Sequence, residues 1–147
     1  MTTQSERKEW MSVLAKAPDD LIDAAFGQIG AVPPFTWLRK PEIGAVMVRG
    51  RAGATGGPFN LGEMTVTRCS LSLDDGTVGH AYVPGRNRDK ARVAALCDAL
   101  LQGPGADAVQ RTVIAPLRAH AEAEKRQAAG RAEQTKVDFF TMVRGEN

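Results

Sequence analysis

Both ends of this chain repeat apolar residues at helical spacing, and its middle repeats them every second residue. Trp10, Val13, Leu14 and Ala17 fall at i, i+3, i+4 and i+7, which is one buried helical stripe. Thr3 and Glu6 form a capping-box pattern at its start. Pro18 with Asp19 and Asp20 opens a second helix, lined inside by Leu21, Ile22, Ala25 and Ile29 and stopped near Gly30. After the middle of the chain, Asn87 caps a helix whose stripe is Val93, Leu96, Cys97, Leu100 and Leu101. Gly103-Pro104-Gly105 ends it. A short helix around Ala106–Ile114 follows, and Pro116 opens or kinks a long Ala-rich helix running to about Thr135.

Between these ends the period is two. Phe35–Arg39 and Ile43–Arg49 are predicted strands, separated by Pro41 and Gly44. Met64–Leu73 and Thr77–Val83 form a hairpin across Asp75-Gly76, because a tight turn needs the positive φ that Gly tolerates. Within Met64–Leu73 the apolar positions change phase: Met64 and Val66 are even, while Cys69, Leu71 and Leu73 are odd. A regular strand would turn one set outward, so a bulge is expected near Thr67–Arg68. The predicted fold is α+β: an antiparallel sheet of about four strands with two N-terminal helices and C-terminal helices, the last one long and Ala-rich.

Composition narrows the class. At 43% hydrophobic and 24% charged, the chain has the make-up of a globular domain. One domain over residues 1–147 is expected, with 116–147 as a helical arm ending in an apolar tail. A formal net charge of only +2 with 5% aromatics argues against a nucleic-acid binder. The polar start lacks the apolar run of a signal peptide, and no stretch has the length of a membrane span, which predicts a cytoplasmic protein. The two cysteines stand far apart and read as free thiols.

Candidate chemistry is sparse. Gly53–Gly57 lacks the Gly-Lys-Ser/Thr ending of a P-loop and reads as a hairpin loop. At Val83–Arg88 a strand feeds a helix start, where free N–H groups beside Arg86 and Arg88 suit a phosphate. Merely solvated arginines are the other reading. His80 stands mid-strand, as a structural hydrogen-bonding residue or as a reactive one. Cys69, Cys97, His80 and His120 show no metal-ligand spacing, so no metal is expected. No triad or carboxylate pair stands out, and catalytic residues remain unassigned. The end of the chain is unusual. Val137, Phe139, Phe140, Met142 and Val143 form a dense apolar run just before Arg144, where a terminus is normally polar. With Arg144 they are candidate partner-binding residues.

Several strings taken together resemble a known family. These are Trp10–Ala15, Gly53–Gly56, Phe59–Cys69, Asp75–His80, Gly85-Arg86 and Val137–Gly145. They are similar to the G subunit (PhnG) of the bacterial carbon–phosphorus lyase core complex, across essentially the whole chain. One departure is Asn87, where that family often has Asp. The resemblance implies an accessory role in attaching an alkylphosphonate to ribose C1 of ATP with release of adenine. The reaction is that of alpha-D-ribose 1-methylphosphonate 5-triphosphate synthase, in phosphonate metabolism. It implies the H, I and J core subunits and the ATP-binding-cassette-like K and L subunits as partners. ATP and alkylphosphonate then enter as substrates of the complex, with no cofactor in this chain and no nucleic-acid or membrane partner. On this reading Arg86, Arg88 and His80 are the substrate-binding candidates. The alternatives are an independent phosphate-ester-binding protein using Gly85–Arg88, and a stand-alone enzyme using His80 or a cysteine.

Overall fold

The computed structural model describes residues 3–51 and 56–145, with the side chains of residues 51, 58–60 and 134–145 left aside. Helices α1 (Gln4–Lys16) and α2 (Asp19–Gly27) lead into strands β1 (Phe35–Arg51), β2 (Pro58–Leu73) and β3 (Val78–Pro84). Helix α3 (Arg88–Leu100) follows. A single turn α4 (Ala106–Val109), a π-helical turn Gln110–Ile114 and the long α5 (Ala115–Gly145) complete the chain.

The local signals act where they stand. Thr3 Oγ1 accepts from Glu6 N–H and the Glu6 carboxylate accepts from Thr3 N–H, closing the capping box of α1. Asn87 Oδ1 accepts from Lys90 N–H at 3.0 Å and caps α3. At the β2–β3 hairpin, Gly76 takes φ +90° while Asp75 Oδ1 accepts from Thr77 N–H.

The sheet has three antiparallel strands in the order β1-β2-β3, not about four. The two strands expected at Phe35–Arg39 and Ile43–Arg49 are one strand. Pro41 does not end it, because β1 is an edge strand where a missing N–H leaves no ladder bond unmade. The β1–β2 register instead slips between Trp37 and Arg39 and between Arg39 and Glu42, each time leaving an extra residue on β1. The bulge expected at Thr67–Arg68 is not there: both residues pair regularly with Ile43 and Glu42, and the extra residues stand on β1 opposite Arg68–Leu71. The β2–β3 pairing is unbroken from Val66↔Pro84 to Ser72↔Val78. The apparent change of phase has a different cause. Thr67, Cys69 and Leu71 face the core, whereas Val66 lies on the opposite face, buried apart from that core beside Ile43, Val46 and Tyr82.

Helix α3 occupies the centre. It lies across the core face of β2 and β3, and residues 90–99 are buried save Arg92. Ala91, Ala94, Ala95 and Ala99 make that enclosure possible, since only small side chains let neighbours approach on every side. Gly79 of β3 sits so close that a Cβ there would overlap the Ala95 carbonyl oxygen. Trp10, Leu14 and Ile22 from α1 and α2, with Val109, Val113, Ile114 and Leu117, close the other sides. Where α4 leads into α5, Ala115 N–H reaches back to Gln110 C=O, widening the helix by one residue. Pro116 offers no N–H to the carbonyl four residues before it, which suits this π turn.

Two elements leave this body. The β1–β2 ribbon continues past the end of β3 as two strands only, over residues 45–51 and 58–65 and about 24 Å at strand rise. Its tip runs into residues 52–55, so most of the loop expected at Gly53–Gly57 lies outside the described residues. The other is α5, roughly 46 Å long. Its residues 124–133 are all exposed. Its backbone stays helical through Gly145, beyond the expected end near Thr135. The side chains of Val137, Phe139, Phe140, Met142 and Arg144 lie outside the described residues. Among the described residues no helix is long and apolar enough to cross a membrane.

Candidate functional site

The three substrate-binding candidates do not come together. Arg86 and Arg88 are exposed at the α3 start, while His80 stands four residues back along β3 from Pro84, about 13 Å at strand rise. The α3 start is also furnished from within. Asn87 Nδ2 donates to Asp19 Oδ2 at 3.0 Å, and Lys90 Nζ lies 3.2 Å from Asp19 Oδ1 while donating to the Ala17 carbonyl. These contacts, the Asn87 hydrogen bond first, hold the Asp19 carboxyl below its ordinary pKa. A carboxylate thus already sits at this positive helix end. Asn87 is suited to its place: an Asp there could accept from Lys90 N–H but could not donate to Asp19.

His80 belongs to a different constellation. Its residue pairs with Ser70 across the ladder, and Ser70 pairs with Arg39, so the three form one row on the outer face. Ser70 Oγ and His80 Nδ1 are 2.8 Å apart. The next row is Glu42, Arg68 and Tyr82. Glu42 Oε2 lies 3.4 Å from Arg39 Nη1 and 3.5 Å from Arg68 Nη2, one oxygen shared by two guanidinium groups. A cleft of about 310 Å³ lies over these rows, lined by Arg39, Arg68, Ser70, His80, Tyr82 and Met11. A second, of about 460 Å³, lies on the other side of His80 against Gln4, Arg7, Lys8 and Met11 of α1.

Beneath His80 is Asp98, fully buried on α3. Its Oδ1 accepts from Arg7 Nε (3.1 Å) and Trp10 Nε1 (2.8 Å). Its Oδ2 accepts from Arg7 Nη2 (2.8 Å) and the His80 backbone N–H (2.9 Å). Every one of these donors would be stranded without the carboxylate, and the hydrogen bond to Asp98 raises the Arg7 pKa. Asp98 does not touch the His80 ring, so Ser70, His80 and Asp98 are no triad. Asp98 instead takes the place of a neighbouring strand. With Gln102 Nε2, which donates to Val78 C=O at 2.9 Å, it covers the free edge of β3.

The thiols are structural. Burial pushes Cys69 up to about 11, and burial with the Asp98 charge pushes Cys97 up to about 12. Cys69 Sγ donates to Ala91 C=O at 3.3 Å. Among the described residues no group of three His, Cys, Asp or Glu is placed to hold a metal ion.

Residues 5–145 match the family described as phosphonate metabolism protein PhnG. The chain belongs to the PhnG family. It is 42% identical over 143 residues to a protein of Rhizobium meliloti (strain 1021), covering 97% of this chain and 92% of that one. That relative is the alpha-D-ribose 1-methylphosphonate 5-triphosphate synthase subunit PhnG. Within this PhnG chain, the sequence drew attention to His80 but not to Ser70, Arg39, Arg68 and Asp98, which the fold sets around it. A signal for one was present: a buried Trp needs an acceptor for its indole N–H, and Trp10 finds Asp98. Ser70 follows only from the hairpin register. A three-residue connection, Asp74–Gly76, sets Ser70 opposite His80; a two-residue one would have set Leu71 there.

Proposed function

We propose that this PhnG chain is an accessory subunit of alpha-D-ribose 1-methylphosphonate 5-triphosphate synthase within a carbon–phosphorus lyase complex. The complex transfers an alkylphosphonate to ribose C1 of ATP and releases adenine. This chain serves assembly rather than the bond-making step, and it takes part in phosphonate metabolism in the cytoplasm. Residues 1–147 act as one domain whose 116–147 arm meets the other subunits, H, I and J with K and L.

The observation that carries this reading is bare apolar surface on a ribbon that leaves a finished core. Met47, Val48, Leu61 and Met64 are exposed along the two-stranded extension, Leu61 at 62%. A ribbon of two strands is marginal by itself in water and becomes stable when a third element covers it. The long α5 supports the same reading, since its residues 124–133 are exposed and Val137, Phe139, Phe140, Met142 and Arg144 follow them on the same helix.

Co-expression with the other subunits tests it. Met47→Glu with Leu61→Glu, and separately deletion of residues 137–147, leave a folded chain and sharply reduce copurification. Normal assembly of both variants would sink the reading.

A further inference from the structure

We propose that the outer sheet face around His80 binds a phosphate- or phosphonate-type oxyanion, held by Arg39, Arg68, Ser70 and His80. The proposal goes beyond the assembly role and does not depend on it.

Three observations converge. First, register places Arg39, Ser70 and His80 side by side on adjacent strands, about 4.8 Å apart, with Arg68 in the next row. Four donor-bearing side chains thus share one face of a rigid sheet. Second, the two arginines are held together by a single oxygen of Glu42, at the long distances of 3.4 and 3.5 Å. Each guanidinium has five N–H donors in a planar fork, which matches two oxygens of a tetrahedral anion far better than one shared carboxylate oxygen. Glu42 is 54% exposed, and among the described residues only Arg39 and Arg68 hold it. It is therefore a loosely held placeholder that an oxyanion of higher charge can displace. Third, the surrounding field favours an anion. Lys8 lines the other side of His80, where Arg7 is already neutralised by Asp98. The nearby negative charge of Asp98 is buried and spent on Arg7, Trp10 and the His80 backbone.

The Ser70 hydroxyl completes the set, since it can turn its proton toward the anion or toward His80 Nδ1, 2.8 Å away. The cleft of about 310 Å³ is at the small end of ligand sites, which suits the anionic head of a larger molecule lying against Tyr82 and Met11. Free phosphate, an alkylphosphonate and the end of a polyphosphate all present this chemistry.

Two-dimensional NMR of the full-length ¹⁵N-labelled chain reads the site directly. It is titrated at constant ionic strength with inorganic phosphate, methylphosphonate or tripolyphosphate, with chloride as the blank. Saturable shifts clustered on residues 39, 68, 70 and 80 are expected, and the tightest probe names the source. Arg39→Ala and Arg68→Ala each weaken that binding about tenfold or more, the scale of a charge-assisted hydrogen bond. Arg68→Lys, which keeps the charge but loses the fork, falls between. Glu42→Gln removes the competitor and tightens binding severalfold. Lys125→Ala, on the exposed length of α5, leaves it unchanged. Linear, unsaturable shifts spread over every basic residue would overturn the proposal, as would a Glu42→Gln chain that binds no better. So would an Arg39→Ala/Arg68→Ala chain that binds as before, or one that stops copurifying with the other subunits when no probe binds the parent. In that last case the face is a protein contact, while the assembly reading survives.

Discussion

Helix α3 and the β1–β2 ribbon are both rich in small and aliphatic residues, yet one is buried nearly all round and the other is exposed on both faces. The difference is one of neighbours, not of composition. α3 has strands on one side and α1, α2 and α4 around the rest, and its alanines let them close in. The ribbon has only two strands, because β3 ends at Pro84 opposite Val66. Beyond that point Met47, Val48, Leu61 and Met64 are exposed among the described residues. A chain that encloses one apolar segment so completely and leaves another bare keeps its own stability in the enclosed one.

Breaking the enclosed region has the largest effect. Asp98→Ala strands the Arg7 guanidinium, the Trp10 indole N–H and the His80 N–H, and should cost about 3–5 kcal/mol. Thermal or urea unfolding of the purified chain measures it. A loss below 1 kcal/mol would mean that water replaces the carboxylate and that this region is less closed than its packing indicates.

The closeness of β3 and α3 is tested next. Gly79→Ala puts a Cβ onto the Ala95 carbonyl and should cost about 1–3 kcal/mol through forced separation of strand and helix. Gly76→Ala, at φ +90° but in open space, probes strain without overlap and serves as the contrast.

The buried thiols add a pH dependence. Cys69 titrates at about 11 and Cys97 at about 12 when folded, both above their ordinary 9.0, so the folded chain keeps protons that the unfolded chain has lost. Their contribution is intact below about pH 9 and shrinks as pH rises through each folded value. Each thiol removes about 1.4 kcal/mol per pH unit over its own window. Unfolding followed from pH 8.5 to 10.5 should show this slope, and it should flatten in a Cys69→Ala/Cys97→Ala chain. Equal slopes in the two chains would show that the thiols are not enclosed.

The smallest effect on stability belongs to the ribbon. Leu61→Ser should change unfolding free energy by less than about 0.5 kcal/mol, as an exposed substitution does. A loss of 2 kcal/mol would place Leu61 in the chain's own core and erase the contrast with α3.

Much of this molecule is legible in residues a few positions apart. The Thr3–Glu6 capping box, the Asn87 cap and the Gly76 turn each close within four residues, so local physics decides them. The stripes on α1, α2 and α3 are likewise set by helical period. Other features needed the tertiary structure, because their causes lie far apart in the chain. Pro41 reads as a strand break until β1 is known to be an edge, where its missing N–H faces outward. Val66 reads as out of phase until the second apolar face is seen. Asp98 stands outside the apolar stripe of its helix, yet Arg7 and Trp10, some ninety residues earlier, make it the polar centre of the core. The row Arg39–Ser70–His80 depends on register across three strands, and a hairpin loop one residue shorter would have turned it to other partners. Spacing along the chain determined which elements form; which side chains meet was decided by pairing and packing, since a strand's register reverses its faces with a single step.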